Sequence, residues 1–468
     1  MLETAAIDFT WSTAAQIAAA VAARRVSALN VVEGALARIR ARDPLLNSFT
    51  AITERRARER AQAIDDARAR GASLPALAGV PFAVKNLFDV AGLTTLAGAK
   101  INRDAPPAGH DAVLIERLEA AGAVLVGALN MGEYAYDFTG ENVHDGPSHN
   151  PHDLDRMTGG SSSGSGGAVA GGLVPLALGS DTNGSIRVPA SLCGGFGLKP
   201  TYGRLSRGGV FPFAASLDHV GPLARSTRDL ALAYDAMQGY DPSDPVCADR
   251  DVEPSTALLE RGASGLRVAV AGGYFKCQNA EAVYAVDRVA AALGANRDIE
   301  IPQAQLARSA AYIITASEAG SLHLERLRTR AHDFDPAVRD RLIAGAMIPA
   351  SLVVKAQKFR RWYRSEMLQL FTEVDVILAP ATPCAAPLIG QQTFNLGDTK
   401  LPVRANLGIY TQPISFVGLP VVAVPVPLSP LPIAVQIIAA PWREDVALRV
   451  AHELETNGVV VAMRPQET

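Results

Sequence analysis

One lysine and two serines stand in settings from which nucleophilic catalysis could be built. Ser185 follows a short polar turn, and Ser161 lies in the glycine- and serine-rich tract 159–172. Lys85 ends the apolar stretch 79–85. A serine hydroxyl is a weak nucleophile until a base takes its proton, and a lysine can be that base when burial lowers its pKa. These three residues are therefore the first candidates for a catalytic group.

The segment 179–190, which reads GSDTNGSIRVPA, adds a second chemical feature. A turn of this kind can present several backbone N–H groups to one point, which is what a developing oxyanion needs. Within the segment, Arg187 is expected to pair with Asp181 rather than to contact a substrate. Histidine is the usual base for serine, but none of the eight histidines lies in a recognisable triad setting. They are His110, His144, His149, His152, His219, His323, His332 and His452.

The glycine-rich tract admits other interpretations, which the flanking residues disfavour. A phosphate-binding loop needs a lysine followed by Ser or Thr at its end, and residues 168–170 are Ala-Val-Ala instead. A dinucleotide-binding turn should follow a strand, whereas the polar segment 153–158 precedes the tract. A flexible linker would not run directly into the apolar segment 174–178.

The elements that must position these residues alternate along the chain. Apolar runs predict strands at residues 79–85, 124–127, 266–271, 374–379, 421–426 and 433–438. Periodic patterns predict helices near residues 14–23, 27–42, 52–70, 111–121, 227–238 and 443–457, with several more between 280 and 371. Ser12 and Thr13 can cap the first of these helices. Strands that alternate with helices indicate an α/β fold with a mixed, mostly parallel central sheet covered by helices on both faces.

Composition limits the class of protein. Of the residues, 48% are hydrophobic and 19% charged, and the formal net charge is -3. This is typical of a globular enzyme, and no basic excess points to nucleic acid or a membrane surface as a partner. The spacing of Cys193, Cys247, Cys277 and Cys384 matches neither a metal site nor a disulfide framework, so reduced thiols and no metal are expected.

The beginning of the chain does not look like a targeting signal. Residues 1–8 contain two acidic residues and no basic ones, and the apolar stretch 14–23 is followed at once by Arg24 and Arg25. No apolar run is long enough to span a membrane. The expected location is the cytoplasm.

The chemical motifs together resemble the amidase signature family. The resemblance rests on Lys85 within residues 79–85, on the tract 159–167 and on residues 181–189. It continues in residues 150–151, 198–201 and 216–222, and so covers almost the whole chain. Each motif alone is weak, but their ordered set is specific. The resemblance implies the amidase signature fold as a single domain over 1–468, with an N-terminal helical segment (1–75), a catalytic core (76–468) and a helical insertion at about 280–371.

The resemblance also implies a role for each catalytic candidate. Ser185 matches the nucleophile, and Ser161 matches a bridging serine whose peptide bond with Gly160 is expected to be cis. Lys85 matches the base, and no cofactor is implied. The backbone N–H groups of Thr182, Asn183, Gly184 and Ser185 match the oxyanion hole. Many relatives have glycine at position 183. Because asparagine tolerates a positive φ, the turn is expected to survive, with the side chain narrowing or polarising the pocket.

Further stretches resemble a subgroup of the family that acts on small carboxylated linear amides or ureides. These stretches are residues 84–89, 97–103, 180–194, 233–239, 314–318 and 437–442. They imply hydrolysis of a substrate such as 1-carboxybiuret with release of ammonia. Arg341, and less directly Arg328, are the candidates to bind the substrate carboxylate, because the planar guanidinium fork pairs with both of its oxygens.

Two further expectations concern partners and an alternative activity. The resemblance implies a small helical partner subunit, in a hetero-oligomer or a homodimer. There are two alternatives. The first is the glutamine-hydrolysing A subunit of a tRNA-dependent amidotransferase, and the second is a hydrolase of another small ureide-type amide. Relatives that use glutamine hold its amino group with an acidic residue in the segment matching 406–413. This chain has Gly408 there, which argues against glutamine.

Overall fold

A single eleven-stranded sheet forms the centre of the computed structural model, which describes residues 9–466. The strands of these residues are β1 (Phe49–Ile52), β2 (Pro81–Lys85), β3 (Val124–Leu129), β4 (His149–Asn150), β5 (Asp153–Met157), β6 (Leu176–Asp181), β7 (Phe196–Lys199), β8 (His219–Ala224), β9 (Val268–Ala271), β10 (Asp298–Ile299), β11 (Val376–Pro380), β12 (Thr393–Leu396), β13 (Thr399–Pro402), β14 (Val421–Val426) and β15 (Ile433–Ala439). Their order in the large sheet is β1-β3-β2-β6-β8-β7-β14-β15-β11-β9-β10.

The sheet is mixed, as predicted, but parallel pairs are not the majority. Strand β2 pairs in parallel with β3 and β6, and β9 pairs in parallel with β10 and β11. The other neighbouring pairs are antiparallel. Parallel neighbours need a long crossover, whereas antiparallel neighbours can be joined by a short turn. The chain makes such a turn between β14 and β15. In the sheet, the parallel group β3-β2-β6 and the parallel group β11-β9-β10 are separated by the strands β8, β7, β14 and β15, which pair antiparallel.

Helices flank this sheet. The α-helices of the described residues are α1 (Ala14–Ala22), α2 (Ala28–Leu46), α3 (Glu54–Ala69), α4 (Val113–Ala120), α5 (Ser163–Ala170), α6 (Arg187–Cys193), α7 (Thr227–Met237), α8 (Ala280–Ala292), α9 (Ala304–Leu322), α10 (Leu324–Arg330), α11 (Pro336–Ala346), α12 (Ala350–Leu370), α13 (Val403–Asn406), α14 (Gln412–Ser415) and α15 (Glu444–Thr456). Every residue of β2, β3, β6, β8, β14 and β15 is buried. Successive side chains of a strand point to opposite faces, so both faces of the sheet are covered.

The ends of the predicted elements agree with the structure in most places and differ in the N-terminal segment. Thr13 caps α1 in a capping box with Gln16, as the sequence predicts. The helix expected from residue 52 begins at Glu54, because residues 49–52 instead pair with β3. The segment 1–75 is therefore not wholly helical where it is described. Residues 1–8, on which the targeting argument rests, lie outside the described range.

The segment 280–371 holds α8 to α12 together with the two-residue strand β10. Helix α8 packs against β11 and β15, whereas α9 packs against α11 and α12. Within residues 9–466, no helix has both the length and the apolar character that crossing a membrane requires. The four cysteines form no disulfide.

Candidate active site

Lys85 is positioned by the pairing of two parallel strands. It ends β2, and the register Val84↔Leu178 places the carboxyl end of β6 beside it. Its side chain is fully buried. Its Nζ donates hydrogen bonds to the Oγ of Ser161 at 2.7 Å and to the Oγ of Ser180 at 2.8 Å. The structure thus brings Lys85 and Ser161 together, and it adds Ser180 to the pair.

Ser161 lies where the glycine-rich tract turns into α5. Its peptide bond with Gly160 is cis, which confirms the expectation from the sequence. The N–H of Ser162 donates to the carbonyl of Ser185 at 3.3 Å. This backbone contact brings the Ser161 turn and the Ser185 turn side by side, although helix α5 and strand β6 separate them in sequence.

Ser185 lies in the turn between β6 and α6, and a buried ion pair closes that turn. Arg187 donates from Nε and from one terminal nitrogen to the two carboxylate oxygens of Asp181, each at 2.9 Å. The N–H of Ile186 donates to the same carboxylate at 3.2 Å. The predicted pairing of Arg187 with Asp181 is confirmed. Burial acts to raise the pKa of Asp181, but the charge and hydrogen bonds of Arg187 outweigh it and hold that pKa well below its ordinary value.

The guanidinium of Arg187 also reaches the C-terminal part of the chain. It donates to Gln436 Oε1 at 2.6 Å, to the Thr411 carbonyl at 3.3 Å and to the hydroxyl of Ser415. Gly184 lies against the same segment with a φ of 143°, and a Cβ there would come within 2.2 Å of Thr411 Oγ1. Only glycine fits this close approach. The Ser185 turn is therefore held by the Arg187 hydrogen bonds on one side and by the packing of Gly184 against Thr411 on the other.

The backbone of the turn offers donors to a ligand. Among the described residues, no acceptor is recorded for the N–H groups of Asn183, Gly184 or Ser185. The hydroxyl of Thr182 donates to Asp218 Oδ1 at 2.6 Å, which fixes the start of the turn. These predicted oxyanion-hole residues are therefore close together and have donors that a substrate oxygen could occupy.

Asn183 differs from the expectation in its backbone conformation. It is not among the residues with positive φ, so its tolerance of that region is not what preserves the turn. Its side-chain Nδ2 donates to Thr315 Oγ1 at 3.0 Å. Its Oδ1 is buried and has no partner among the described residues.

Ser185 opens onto a small cleft. The cleft is lined by Ala135, Tyr136, Asp137, Phe138, Thr182, Asn183, Ser185, Phe213, Tyr312, Thr315, Arg341 and Gln412. Arg341 lies 3.6 Å above the ring of Tyr136 and donates to the Tyr136 carbonyl at 2.8 Å. No carboxylate of the described residues forms an ion pair with Arg341. Its charge is therefore available to an anionic ligand in the cleft.

Arg328 does not belong to this site. It lies on α10, largely exposed, and pairs with Glu325 at 2.6 Å. It is not part of the cleft lining. The structure does not bring Arg328 to Ser185, because its position on α10 directs it to solvent and to a neighbouring acid.

Burial lowers the pKa of Lys85 to about 7, and the negative charges of Asp181, Asp218 and Asp137 oppose that shift. A large share of the molecules therefore carry a neutral amine at this position near neutral pH. A neutral lysine that touches a serine hydroxyl can accept a proton from it. The geometry thus places a lysine with a lowered pKa against two hydroxyl groups, beside the turn that carries Ser185 and its N–H groups.

Sequence reasoning missed Ser180 and Thr315. Ser180 lies near the end of β6, which begins with the apolar residues 176–178 and pairs with the strand that ends in Lys85. That juxtaposition is the signal that could have found it. Thr315 lies on α9, and no local pattern indicates that it reaches Asn183. Ser180 also lines a second, larger cavity together with Arg207, Asp218 and His219.

Comparison with known proteins adds to this geometry. The family model described as Amidase matches residues 30–448. The AtzE subunit of 1-carboxybiuret hydrolase from Pseudomonas sp. (strain ADP) is 54% identical over an alignment that covers 95% of this chain and 98% of that protein. The A subunit of glutamyl-tRNA(Gln) amidotransferase from Azotobacter vinelandii (strain DJ / ATCC BAA-1303) is 41% identical, with 95% and 96% covered. A solved structure is described as the inhibitor-bound form of an unexpected vestigial protein complex that reveals the evolutionary origins of an s-triazine catabolic enzyme. It matches with a TM-score of 0.96 and 53% identity, covering 96% of this chain and 100% of that one.

Proposed function

The chain belongs to the amidase signature family and is an amidohydrolase, and from this premise we propose that it cleaves a C–N bond of a small carboxylated linear ureide. The proposed substrate is 1-carboxybiuret, and the proposed products include ammonia. The observation that carries the catalytic part is the 2.7 Å contact between Lys85 Nζ and Ser161 Oγ at a fully buried lysine.

In the proposed mechanism, Ser185 Oγ attacks the carbonyl carbon of the substrate. Its proton passes to Ser161, and Ser161 gives its own proton to the neutral amine of Lys85. The N–H groups of the Ser185 turn hold the resulting oxyanion. The tetrahedral intermediate collapses, the C–N bond breaks, and the leaving nitrogen takes a proton back through the same relay. Water then hydrolyses the acyl-enzyme and frees Ser185.

The charge of the cleft supports a carboxylated substrate. Arg341 lines the same cleft as Ser185 and is not neutralised by any described carboxylate. A carboxylate bound there would gain a charge-assisted hydrogen bond. The AtzE relative, which is 54% identical, is named for 1-carboxybiuret, a carboxylated ureide.

Glutamine is the second candidate, because the glutamyl-tRNA(Gln) amidotransferase relative is 41% identical over most of the chain. The surroundings of Gly408 argue against it. A Cβ at this position would come within 2.4 Å of the Phe138 ring. An acidic side chain to hold the amino group of glutamine therefore does not fit at position 408 unless Phe138 moves.

A small helical partner subunit is also proposed. The similar solved structure is described as a protein complex. In this chain Met347, Leu352 and Val354 are exposed where α11 meets α12, and exposed apolar groups are a common mark of a contact surface. Purification of the tagged chain from its native cell, followed by mass spectrometry, should recover a small companion. A fully active chain that purifies alone would contradict this part.

The activity is tested by measuring ammonia release from 1-carboxybiuret and from glutamine side by side. The wild-type chain should favour 1-carboxybiuret. The Ser185→Ala variant should remain folded and lose turnover by several orders of magnitude, because the covalent route disappears. Near-normal turnover by this variant would show that Ser185 is not the nucleophile. A preference of the wild-type chain for glutamine would show that 1-carboxybiuret is not the substrate.

A further inference from the structure

Of the two polar atoms of the Asn183 side-chain amide, one has a hydrogen-bond partner and the other has none among the described residues. Its Nδ2 donates to Thr315 Oγ1 at 3.0 Å, while its Oδ1 is buried and accepts no hydrogen bond from the described residues. The residue as a whole is only 7% exposed. A buried carbonyl oxygen without a donor destabilises the folded protein. An acceptor of this kind in a ligand cleft is suited to a ligand that brings the missing donor.

The position of Asn183 indicates which part of a ligand that is. Its backbone N–H belongs to the proposed oxyanion hole, and Asn183 is one of the residues that line the same cleft as Ser185. Oδ1 is four bonds away from that backbone nitrogen, so it lies within a few ångströms of the proposed oxyanion hole, where the reacting carbonyl must sit. The substrate atoms nearest to it are those bonded directly to that carbonyl carbon.

Ureides and ordinary carboxamides differ at this atom. In a ureide the carbonyl carbon carries a nitrogen on both sides, so an N–H donor remains next to the carbonyl after the leaving nitrogen is counted. In a carboxamide such as glutamine, the corresponding atom is a methylene carbon and cannot donate. A site with a fixed acceptor rejects the analogue that lacks the donor, because the acceptor then stays unpaired.

On the basis of the proposed function, we propose that Asn183 Oδ1 accepts a hydrogen bond from the N–H beside the reacting carbonyl and so selects ureides over alkyl carboxamides. Thr315 is the positioning residue. Its hydroxyl accepts from Nδ2, and this contact holds the Asn183 amide with Nδ2 towards Thr315 and Oδ1 free of a protein partner. Thr315 is itself buried, so this orientation is held from the protein side.

Two simple anions test the proposal. N-carbamoylglycine and succinamate both carry a terminal carboxamide group and a carboxylate at the same spacing, and they differ by one N–H in place of one methylene. Their binding is measured by calorimetry on the Ser185→Ala protein, so that the result does not depend on turnover. We expect N-carbamoylglycine to bind about tenfold more tightly or better.

Replacement of Asn183 by alanine keeps the backbone N–H and removes the acceptor. In the Ser185→Ala/Asn183→Ala protein the preference should fall to about threefold or less. Thr315→Val should reduce the preference, because the amide is no longer oriented, and Thr315→Ser should restore it. Thermal melting of each variant checks that it is folded.

An unchanged preference after Asn183→Ala overturns the inference, and so does the absence of binding by both compounds. Neither result bears on the general amidase activity, which ammonia release by the wild-type chain tests separately. If the wild-type chain releases no ammonia from any amide while the binding preference behaves as expected, the proposed function fails and the recognition by Asn183 stands.

Discussion

The Nζ of Lys85 lies 2.7 Å from the Oγ of Ser161, across 76 residues of sequence. Its second partner, Ser180, is likewise a neutral hydroxyl, at 2.8 Å. No carboxylate is recorded at hydrogen-bond distance from this amine among the described residues, so the positive form is poorly compensated. A buried lysine in such surroundings loses its proton more readily than one in water.

The first prediction concerns the pH dependence of hydrolysis. The pKa of Lys85 is lowered to about 7, and the neutral amine is the form that accepts a proton. Activity should therefore rise with pH through about 7, hold at mildly alkaline pH, and be lost as the pH falls through that value. Lys85→Ala should be about as damaging as Ser185→Ala, because the relay acts as a unit. Steady-state ammonia release across this pH range measures both.

Lys199 provides a matched control. It is also fully buried, and burial lowers its pKa to about 7 as well. Its Nζ donates to the Pro200 carbonyl at 3.0 Å and touches no candidate catalytic group. Lys199→Met should keep the acidic limb of the profile. If the acidic limb of the pH profile disappeared in Lys199→Met and persisted in the residual activity of Lys85→Ala, the group that titrates would be Lys199 and not Lys85.

A second prediction concerns Ser180. Its hydroxyl accepts a hydrogen bond from Lys85 and so favours the charged form. Ser180→Ala should shift the acidic limb to lower pH and reduce kcat about tenfold, with KM little changed. Ser165→Ala is the control, since Ser165 Oγ is buried nearby and bonds to the Leu178 carbonyl at 2.9 Å. Equal pH profiles for the two variants would show that Ser180 does not tune the pKa of Lys85.

A third prediction concerns the substrate charge. Arg341→Ala should reduce kcat/KM by about 30-fold for a carboxylated substrate, corresponding to about 2 kcal/mol. This is the lower end of the range for buried charge pairs, because Arg341 is only partly buried. The loss should largely vanish with an uncharged amide of the same size. Arg328→Ala, on exposed α10, should leave both substrates unaffected. An equal loss on both substrates in Arg341→Ala would remove Arg341 from carboxylate binding.

A fourth prediction concerns Gly408. Its replacement by alanine places a Cβ 2.4 Å from Phe138 Cζ, and overpacking of this kind costs about 1–3 kcal/mol. The variant should melt at a lower temperature. Gly109→Ala, where no atom lies within 4 Å of the new Cβ, should have little effect. In a Phe138→Ala background the penalty at position 408 should shrink. A Gly408→Ala protein as stable as wild type would show that the Phe138 ring gives way easily.

Those elements of the fold that depend on a short stretch of sequence were predicted. Strands β14 and β15 follow from apolar runs, and the cis bond before Ser161 was implied by the resemblance to the amidase signature family. The two-residue strand β10 has too little pattern to predict, and β1 is short enough to be absorbed into the helix that follows it. The excess of antiparallel pairs depends on how distant strands meet, which strand-by-strand patterns do not determine.

The same division holds in the site. Lys85, Ser161 and Ser185 lie in recognisable local sequence. The contact between Asn183 and Thr315 joins residues 132 positions apart, and it exists only because α9 packs beside the Ser185 turn. The sequence already favoured Arg341 over Arg328, and the placement of α10 and α11 supplies the physical reason: Arg341 lies beside the cleft and Arg328 in solvent.

The anchoring of Arg187 has a consequence for synthesis on the ribosome. Its hydrogen bonds to Thr411 and Gln436 span 224 and 249 residues. When Lys85, Ser161 and Ser185 have already left the exit tunnel, the partners that hold the Ser185 turn have not yet been translated. The nascent chain therefore carries every proposed reactive side chain before it can assemble them. A product of premature termination ahead of residue 411 should accordingly be inert, however well its first strands pair.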